Sequence, residues 1–167
     1  MPATIKQKII DRGWNRIIRE VRKADNSYTK VGLPQEGEVK EGTKTGSGNE
    51  PIIQMSELVT VGAVQEFGAP KKNIPARPFI RTTYDENREK INNLVLNEYE
   101  KIVDGSSNVK RSLGLIGEWL KAKTQAKIRA IRTPPNAPTT IAKKGSSNPL
   151  IDTGQMVQSI QHVEVIP

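Results

Sequence analysis

The sequence predicts an α+β fold that is mostly helical, with a small antiparallel or mixed sheet and a long flexible loop. Apolar residues recur at spacings of three and four over several long stretches, which is typical of amphipathic helices. Two short segments alternate apolar and polar residues as strands do, and a polar, glycine-rich run separates the first strand from the second helix. At 167 residues the chain fits a single domain, residues 1–167, with a mobile loop at residues 35–50.

The first helix is predicted over residues 4–23, where isoleucines, Trp14 and Val21 follow a helical spacing and Trp14 is expected to pack in the core. Residues 25–27 break that pattern, and residues 28–33 alternate like a short strand that Pro34 stops. Between residues 35 and 49 the only apolar residue is Val39. Such a run cannot bury enough surface to offset the entropy lost on ordering, so we expect a mobile loop.

A second helix is predicted to begin at an N-cap, Ser56, and to end at Gly68. The connector that follows is stiff, because Pro75 and Pro78 fix the backbone and restrict the residues before them. Residues 66–81 also carry both phenylalanines of the chain, Phe67 and Phe79, which we expect to be core anchors together with Ile74 and Ile80. The connector either staples the protein's own core or docks into a neighbouring subunit.

Two long helices should follow the connector. Thr83 and Glu86 match a capping box and predict the start of the first of them, which Gly105 should end. Its buried face is predicted to contain Ile91, Leu94, Val95, Tyr99 and Ile102. The next helix is expected to be capped by Ser106 or Ser107, to bury Trp119 and to end before the proline pair at residues 134–135.

The C-terminal residues predict a short helix and a strand. Asp152 to Gln155 match a second capping box, with Asp152 as the N-cap. Residues 162–165 alternate as a strand that could pair with the strand at residues 28–33. His162 lies on this strand, and we interpret it as a surface residue rather than a general base.

Composition argues against several kinds of chemistry. The chain has no cysteine and one histidine, which excludes disulfides, thiolate chemistry and a multi-histidine metal site. The acids form no pair with an evident pKa offset, and the glycine-rich run lacks the spacing of a phosphate-binding loop. We therefore predict no enzyme activity, no catalytic residues and no cofactor; an enzyme would require a pocket that gathers distant acids. No apolar segment suits a signal peptide or a membrane span, so we expect assembly inside the cell without a membrane.

The net charge of +8 is concentrated in two helices. Residues 4–23 carry a net +5, and residues 107–132 carry seven cations against a single acid, Glu118. The plainer interpretation is a pair of solvated helix faces, and the sharper one is nonspecific contact with nucleic acid. The candidate DNA-facing residues are Lys121, Lys123, Lys127, Arg129, Arg132, Lys143 and Lys144. Because only 35% of residues are apolar, we also expect a thin core that neighbours complete.

Three motifs occur in order along the chain. Glu-Phe-Gly at residues 66–68 precedes Ile-Pro-Ala-Arg-Pro-Phe-Ile-Arg at 74–81, Pro-Asn-Ala-Pro-Thr-Thr-Ile-Ala-Lys-Lys-Gly follows at 135–145, and Pro-Leu-Ile-Asp-Thr-Gly-Gln-Met-Val-Gln-Ser-Ile at 149–160. In these motifs, across roughly its last hundred residues, the chain resembles the virion-morphogenesis proteins of tailed bacteriophages. Those are the neck or tail-completion proteins of long-tailed phages.

The resemblance implies a structural subunit of a ring, with six copies expected, at the head-to-tail joint. The ring would lie between the head connector and the tail terminator or tail tube, and genomic DNA would pass through its lumen by nonspecific contact. The virion, assembled in the host cytoplasm, is the implied location. No catalytic residue carries over; the residues implied in folding and assembly are Glu66, Phe67, Gly68, Pro75, Arg77, Pro78, Phe79, Arg81, Leu150, Asp152, Thr153, Gly154 and Ser159. The alternative is a nonspecific basic DNA-binding protein of phage or host.

Overall fold

The computed structural model describes residues 13–34 and 55–167. A short 3-10 turn, Pro70–Lys72, lies between the second and third helices. The helices and strands are, in chain order, α1 (Trp14–Ala24), β1 (Tyr28–Gly32), α2 (Met55–Phe67), α3 (Ile80–Val103), α4 (Val109–Ala130), α5 (Pro138–Lys144), α6 (Gln155–Gln158) and β2 (Gln161–Val165). The predicted fold, α+β and mostly helical with a small sheet, is confirmed. The predicted loop at residues 35–50 and the predicted first helix before residue 13 lie outside the described residues.

The two strands form an antiparallel pair, which confirms the pairing predicted from the sequence. Tyr28 lies opposite Val165, and the register continues to the pair of Gly32 and Gln161. Both strands pack against α4. The helix can approach the sheet because α4 has a glycine at residue 117, where a Cβ atom would lie 2.6 Å from the Thr29 hydroxyl.

The core forms where α2, α4 and the C-terminal segment meet the start of α3. Phe79 is completely buried there, so its predicted role as a core anchor is confirmed. The buried residues of this cluster are Leu58, Phe79, Ile128, Leu150, Met156, Val157 and Ile160. A second set of buried apolar side chains, including Ile102 and Ile116, lies on α3 and α4, which pack against each other.

The start of α3 differs from the prediction. The helix begins at Ile80, three residues before the predicted capping box. Thr83 therefore lies inside the first turn, where its hydroxyl donates a hydrogen bond to the Phe79 carbonyl at 2.5 Å. The capping box was wrong because the cap of this helix comes from a distant residue, Glu66.

Three other predicted caps are also replaced. Asn108, rather than Ser106 or Ser107, caps α4, and its Oδ1 accepts a hydrogen bond from the Arg111 backbone at 3.0 Å. Gly154, in a left-handed conformation with φ of 81°, precedes α6 where Asp152 was predicted to be the cap. Ser56 lies within α2 rather than before it.

Burial corrects the predictions for several side chains. Trp14 is 65% exposed, Phe67 66% and Ile80 37%, so none of the three is a core anchor. No residue of α1 is buried, Phe67 is the last residue of α2, and Ile80 is the first residue of α3. His162, predicted to be a surface residue, is instead buried on β2 because its side chain faces Gly117 of α4.

Candidate assembly site

Glu66, at the end of α2, caps the start of α3. Its Oε2 accepts hydrogen bonds from the backbone N–H groups of Phe79 at 2.7 Å and Ile80 at 2.9 Å, and its Oε1 accepts one from Arg81 at 3.0 Å. The first N–H groups of a helix have no partner within the helix, and a negative charge there is favoured by the helix dipole. Since Glu66 is only 3% exposed, this carboxylate joins two helices from inside the protein.

Arg81 binds back to the residues that cap its helix. Its Nε lies 3.2 Å from Glu66 Oε1, and its Nη2 donates a hydrogen bond to the Glu66 carbonyl at 3.1 Å. The guanidinium also lies over the Phe67 ring, 5.2 Å from the ring centre, which is cation–π geometry. The exposed Phe67 ring therefore packs against the Arg81 guanidinium.

Gly68 turns the chain sharply after α2, and the predicted end of the helix at this glycine is confirmed. Its φ is +78°, and a Cβ atom would lie 2.9 Å from the Ala76 backbone nitrogen and 3.2 Å from the Ile74 carbonyl oxygen. Both the conformation and the space therefore require glycine. The turn folds the proline-containing connector back onto the end of α2, where the Arg77 N–H donates to the Gln65 carbonyl at 2.6 Å.

Arg77 joins the connector to the proline pair after α4. Its Nε donates to the Pro134 carbonyl at 2.7 Å, and its Nη2 donates to the Pro135 carbonyl at 3.0 Å and to Asn136 Oδ1 at 3.3 Å. Its Nη1 donates to Gln65 Oε1 at 2.9 Å. The guanidinium is buried among neutral acceptors, and this burial lowers the pKa of Arg77. Its planar fork of donors matches several fixed carbonyls at once, which a lysine could not do.

The third motif reaches the same region through the core and through a small cavity. Leu150 packs in the buried cluster that contains Phe79. A cavity of about 280 Å³ is lined by residues of all three motif segments or their immediate neighbours, among them Gln65, Asn136, Lys144 and Asp152. The three motifs, far apart in the sequence, therefore lie together in the fold.

Lys144 is the half-buried cation of this cavity. Its Nζ donates a hydrogen bond to the Asn148 carbonyl at 3.2 Å. Burial lowers the pKa of Lys144, and the negative charge of Asp152 opposes that effect in part. Lys144 thus belongs to the protein's internal polar contacts, although the sequence placed it among the candidate DNA-facing residues.

The remaining motif residues take different positions. Asp152 and Pro75 are exposed and Pro78 is half-buried. Ser159 is completely buried, and its hydroxyl has no hydrogen-bond partner among the described residues. Thr153 accepts a hydrogen bond from the Gln155 backbone at 3.4 Å through its hydroxyl.

The candidate DNA-facing cations do not form a single stripe. Lys121 and Lys123 are two residues apart on α4, so their side chains project about 200° apart around the helix axis. Several of these cations already have partners: Lys121 with Glu118 at 3.4 Å, Lys123 with the Trp119 ring at 5.4 Å, Lys127 with Glu86 at 2.5 Å, and Arg132 with the Arg129 carbonyl at 2.5 Å. Lys143 is exposed on α5.

An apolar stripe lies on the exposed side of α3. Val95, Tyr99 and Val103 are four residues apart, which places them on one side of the helix, and Leu96 lies next to them. All four are exposed, Leu96 at 60%. Val95 and Tyr99 were predicted to be buried with Ile91 and Ile102, of which only the latter two are buried. We call these four exposed residues the α3 stripe.

Several residues of the site were not identified from the sequence. Gln65 and Asn136 hold Arg77, and Leu96 belongs to the α3 stripe. A local signal existed for Asn136, because it follows two prolines that lie beyond the end of α4, where the backbone carbonyls have no helical partner. Gln65 gave no such signal.

The described residues contain neither a metal-ligand cluster nor a helix suited to a membrane. In residues 13–34 and 55–167, no three His, Asp or Glu side chains come together in a way that could hold a metal ion. Across the same residues, no helix combines the length and the apolar character that crossing a bilayer requires.

Fold and site together define a small α+β protein in which Glu66 and Arg77 hold the motif segments together through hydrogen bonds. Comparison with protein-family models, with curated proteins and with solved structures finds no match to this chain.

Proposed function

We propose that this chain is a structural virion protein that forms a ring at the head-to-tail joint of a long-tailed phage. It would act in tail completion and head-tail joining, with DNA passing through the lumen. The observation that carries the proposal is the contact of the motif segments with one another: Glu66 ties residues 66–68 to the start of α3, and Arg77 ties the connector to residues 134–136. The residues behind the resemblance therefore form one structural unit.

The polar groups of this unit are used for structure. Both oxygens of Glu66 accept hydrogen bonds from α3, and the guanidinium of Arg77 donates to backbone and amide oxygens. A catalytic group needs a free position for a substrate, whereas these groups are occupied by the protein itself. Roles in folding and assembly account for them more simply than a role in chemistry.

The α3 stripe supports the assembly of several copies. Four adjacent exposed apolar side chains on one helix face are typical of an interaction surface. Because each is already about half buried, covering the rest of each against a neighbour is worth roughly 1 kcal/mol. In a ring, the stripe of one copy would meet a different surface of the next copy, which is a heterologous interface that closes on itself. Six copies remain the expected number.

The proposed neighbours of the ring are the head connector on one side and the tail terminator or tail tube on the other. Assembly would take place in the host cytoplasm, and the finished ring would reside in the virion. The stiff connector at residues 66–81 binds its own subunit through Glu66 and Arg77. We infer that it holds the fold in shape for assembly rather than reaching into a neighbour.

The alternative function, a nonspecific basic DNA-binding protein, is favoured by two cations at the start of α4, Lys110 and Arg111, whose side chains form no hydrogen bond or close ion pair within residues 13–34 and 55–167. Native mass spectrometry of the full chain, with and without duplex DNA, separates the two proposals. A neck protein should form a closed ring that binds duplex weakly at physiological salt. A monomer that binds duplex with micromolar affinity and a steep salt dependence would instead support the DNA-binding protein.

A further inference from the structure

A basic cleft lies between α1 and the turn that joins α3 to α4. Its volume is about 510 Å³. Among the residues that the structure describes, four cations line it, Arg16 and Lys23 from α1 and Lys110 and Arg111 from α4, against the single carboxylate of Glu20. The hydroxyl-bearing turn at residues 106–107 completes the wall. None of these cations belongs to the candidate DNA-facing set chosen from the sequence.

The acid of the cleft serves to hold its walls together. Glu20 Oε2 accepts a hydrogen bond from the Val109 N–H at 3.0 Å, and its Oε1 accepts one from Lys23 Nζ at 3.0 Å. These two contacts, the backbone one first, lower the pKa of Glu20, so it remains charged at neutral pH. Arg16, which lies on α1 as Glu20 does, donates a hydrogen bond to the Gly105 carbonyl. The cleft is thus built by contacts between α1 and the α3–α4 turn.

Lys110 and Arg111 are cations whose side chains have no direct partner among the described residues. Both lie in the first turn of α4, where the helix dipole disfavours positive charge. Neither side chain forms a hydrogen bond or close ion pair with residues 13–34 or 55–167, although Arg111 is near enough to Glu98 to help lower its pKa. Two cations beside the positive end of a helix, facing two more across a cleft, make a strongly electropositive concavity.

We propose that this cleft binds a phosphate-type oxyanion, with Lys110 and Arg111 as the principal ligands and Arg16 and Lys23 opposite them. Guanidinium and ammonium groups are the side chains that best match phosphate oxygens. The inference that the cleft binds phosphate groups does not depend on the proposed function. The inference that these phosphates belong to the backbone of packaged duplex DNA does rest on it. Free inorganic phosphate is the other ligand that offers the same oxygen atoms.

The test compares two variants of the full chain that lose the same charge. Lys110→Gln with Arg111→Gln removes two cations from the cleft. Lys71→Gln with Lys72→Gln removes two exposed cations from the 3-10 turn, which does not line the cleft. Fluorescence anisotropy with a labelled short duplex across a salt series measures DNA binding, and calorimetry with inorganic phosphate measures binding of the free ion. Thermal melting establishes that both variants fold.

We expect the cleft variant to bind duplex at least tenfold more weakly and its log–log salt slope to fall in magnitude by about two, since each phosphate contact contributes roughly 0.9. The control variant should stay within about threefold of the unaltered chain, because distant charge acts only through the screened field. Loss of duplex binding alone assigns the site to DNA, whereas loss of phosphate binding as well assigns it to single phosphate groups.

Equal losses in the two variants, or no loss in either, would overturn the site, as would an unaltered chain that binds neither probe. Ring formation is measured separately by native mass spectrometry. A ring whose cleft variant binds DNA normally would contradict this site and leave the proposed function standing. A chain that forms no ring but loses DNA binding in the cleft variant would contradict the proposed function and leave the site standing.

Discussion

The carboxylate of Glu66 lies 2.7 Å from the backbone nitrogen of Phe79, so the last turn of one helix caps the first turn of the next. Phe79 is also completely buried in the core. One contact therefore sets the angle at which α3 leaves the connector and holds the core aromatic in place. The stiff connector between these residues is held against its own subunit, because this contact fixes both of its ends.

Replacing Glu66 with glutamine should destabilise the protein. The amide keeps the shape but loses the charge, and it turns one acceptor into a donor that faces the N–H groups of α3. We expect a loss of about 1–3 kcal/mol in the free energy of unfolding, measured by urea denaturation. Glu100→Gln, on the exposed side of α3, is the matched control and should change stability by less than about 0.5 kcal/mol. Equal effects of the two changes would argue against the cap.

Arg77→Lys should also destabilise the fold although the charge is kept. A lysine cannot reach the carbonyls of Pro134 and Pro135 and the Gln65 side chain at the same time, and the loss of these charge-assisted hydrogen bonds should cost about 1–3 kcal/mol in total. Hydrogen exchange should show faster exchange in the segment around residues 136–140. The control is Arg88→Lys on the exposed side of α3. Unchanged exchange and stability in Arg77→Lys would contradict the role of the planar fork.

Glu98 should make part of the stability depend on acid pH. It is 3% exposed, and its carboxylate accepts hydrogen bonds from Lys101 at 2.6 Å and from Ser112 at 2.9 Å. Burial raises the pKa of Glu98. The hydrogen bonds and the nearby cations lower it by more than burial raises it, so the net pKa lies below the usual 4.5. A pKa lowered by folding stabilises the protein above the unfolded pKa and loses that stabilisation as the pH falls through the folded pKa.

Glu98→Gln is the variant that isolates this effect. Its free energy of unfolding should be lower than that of the unaltered chain at pH 7. The gap should shrink as the pH falls below about 4.5, where the unfolded chain binds a proton at Glu98, and it should close once the pH has passed the lower pKa of the folded protein. Urea unfolding at several pH values measures the gap. A gap of constant size from neutral to acid pH would show that the charge of Glu98 contributes nothing.

Leu96→Asp should prevent association of the chain if the α3 stripe lies between neighbouring copies. A charge buried in an apolar contact costs several kcal/mol, so the variant should remain monomeric at concentrations where the unaltered chain assembles. Asn97→Asp adds the same charge at the next exposed position, which lies about 100° around the helix, and should assemble normally. Native mass spectrometry measures the oligomeric state of both variants. If Leu96→Asp assembles as efficiently as Asn97→Asp, the α3 stripe does not lie in the interface.

The sequence predicted the elements that depend on local pattern. Helical spacing located the long helices, alternation located both strands, and Gly68 ended α2 because a left-handed turn there admits only glycine. Phe79 was also predicted correctly as a core residue. These features depend on residues close together in the sequence or on strongly apolar side chains, and both can be recognised from the sequence alone.

The errors arose where a distant residue decided the outcome. The start of α3 was misplaced because its cap, Glu66, lies thirteen residues before Phe79, beyond the reach of a local capping rule. Trp14 and Phe67 are apolar but exposed, since burial requires a partner surface that hydrophobicity alone does not supply. The acceptors of Arg77, the carbonyls of Pro134 and Pro135, were not identified either, because only the tertiary fold brings them to the guanidinium.

Cryo-electron microscopy of the assembled virions tests the central proposal most directly. We expect a closed ring of this chain at the head-to-tail joint, with the α3 stripe of each copy packed against the next copy and DNA passing through the lumen. Particles whose head-to-tail joint is complete without this chain, or in which the chain occurs only as a free monomer, would contradict it.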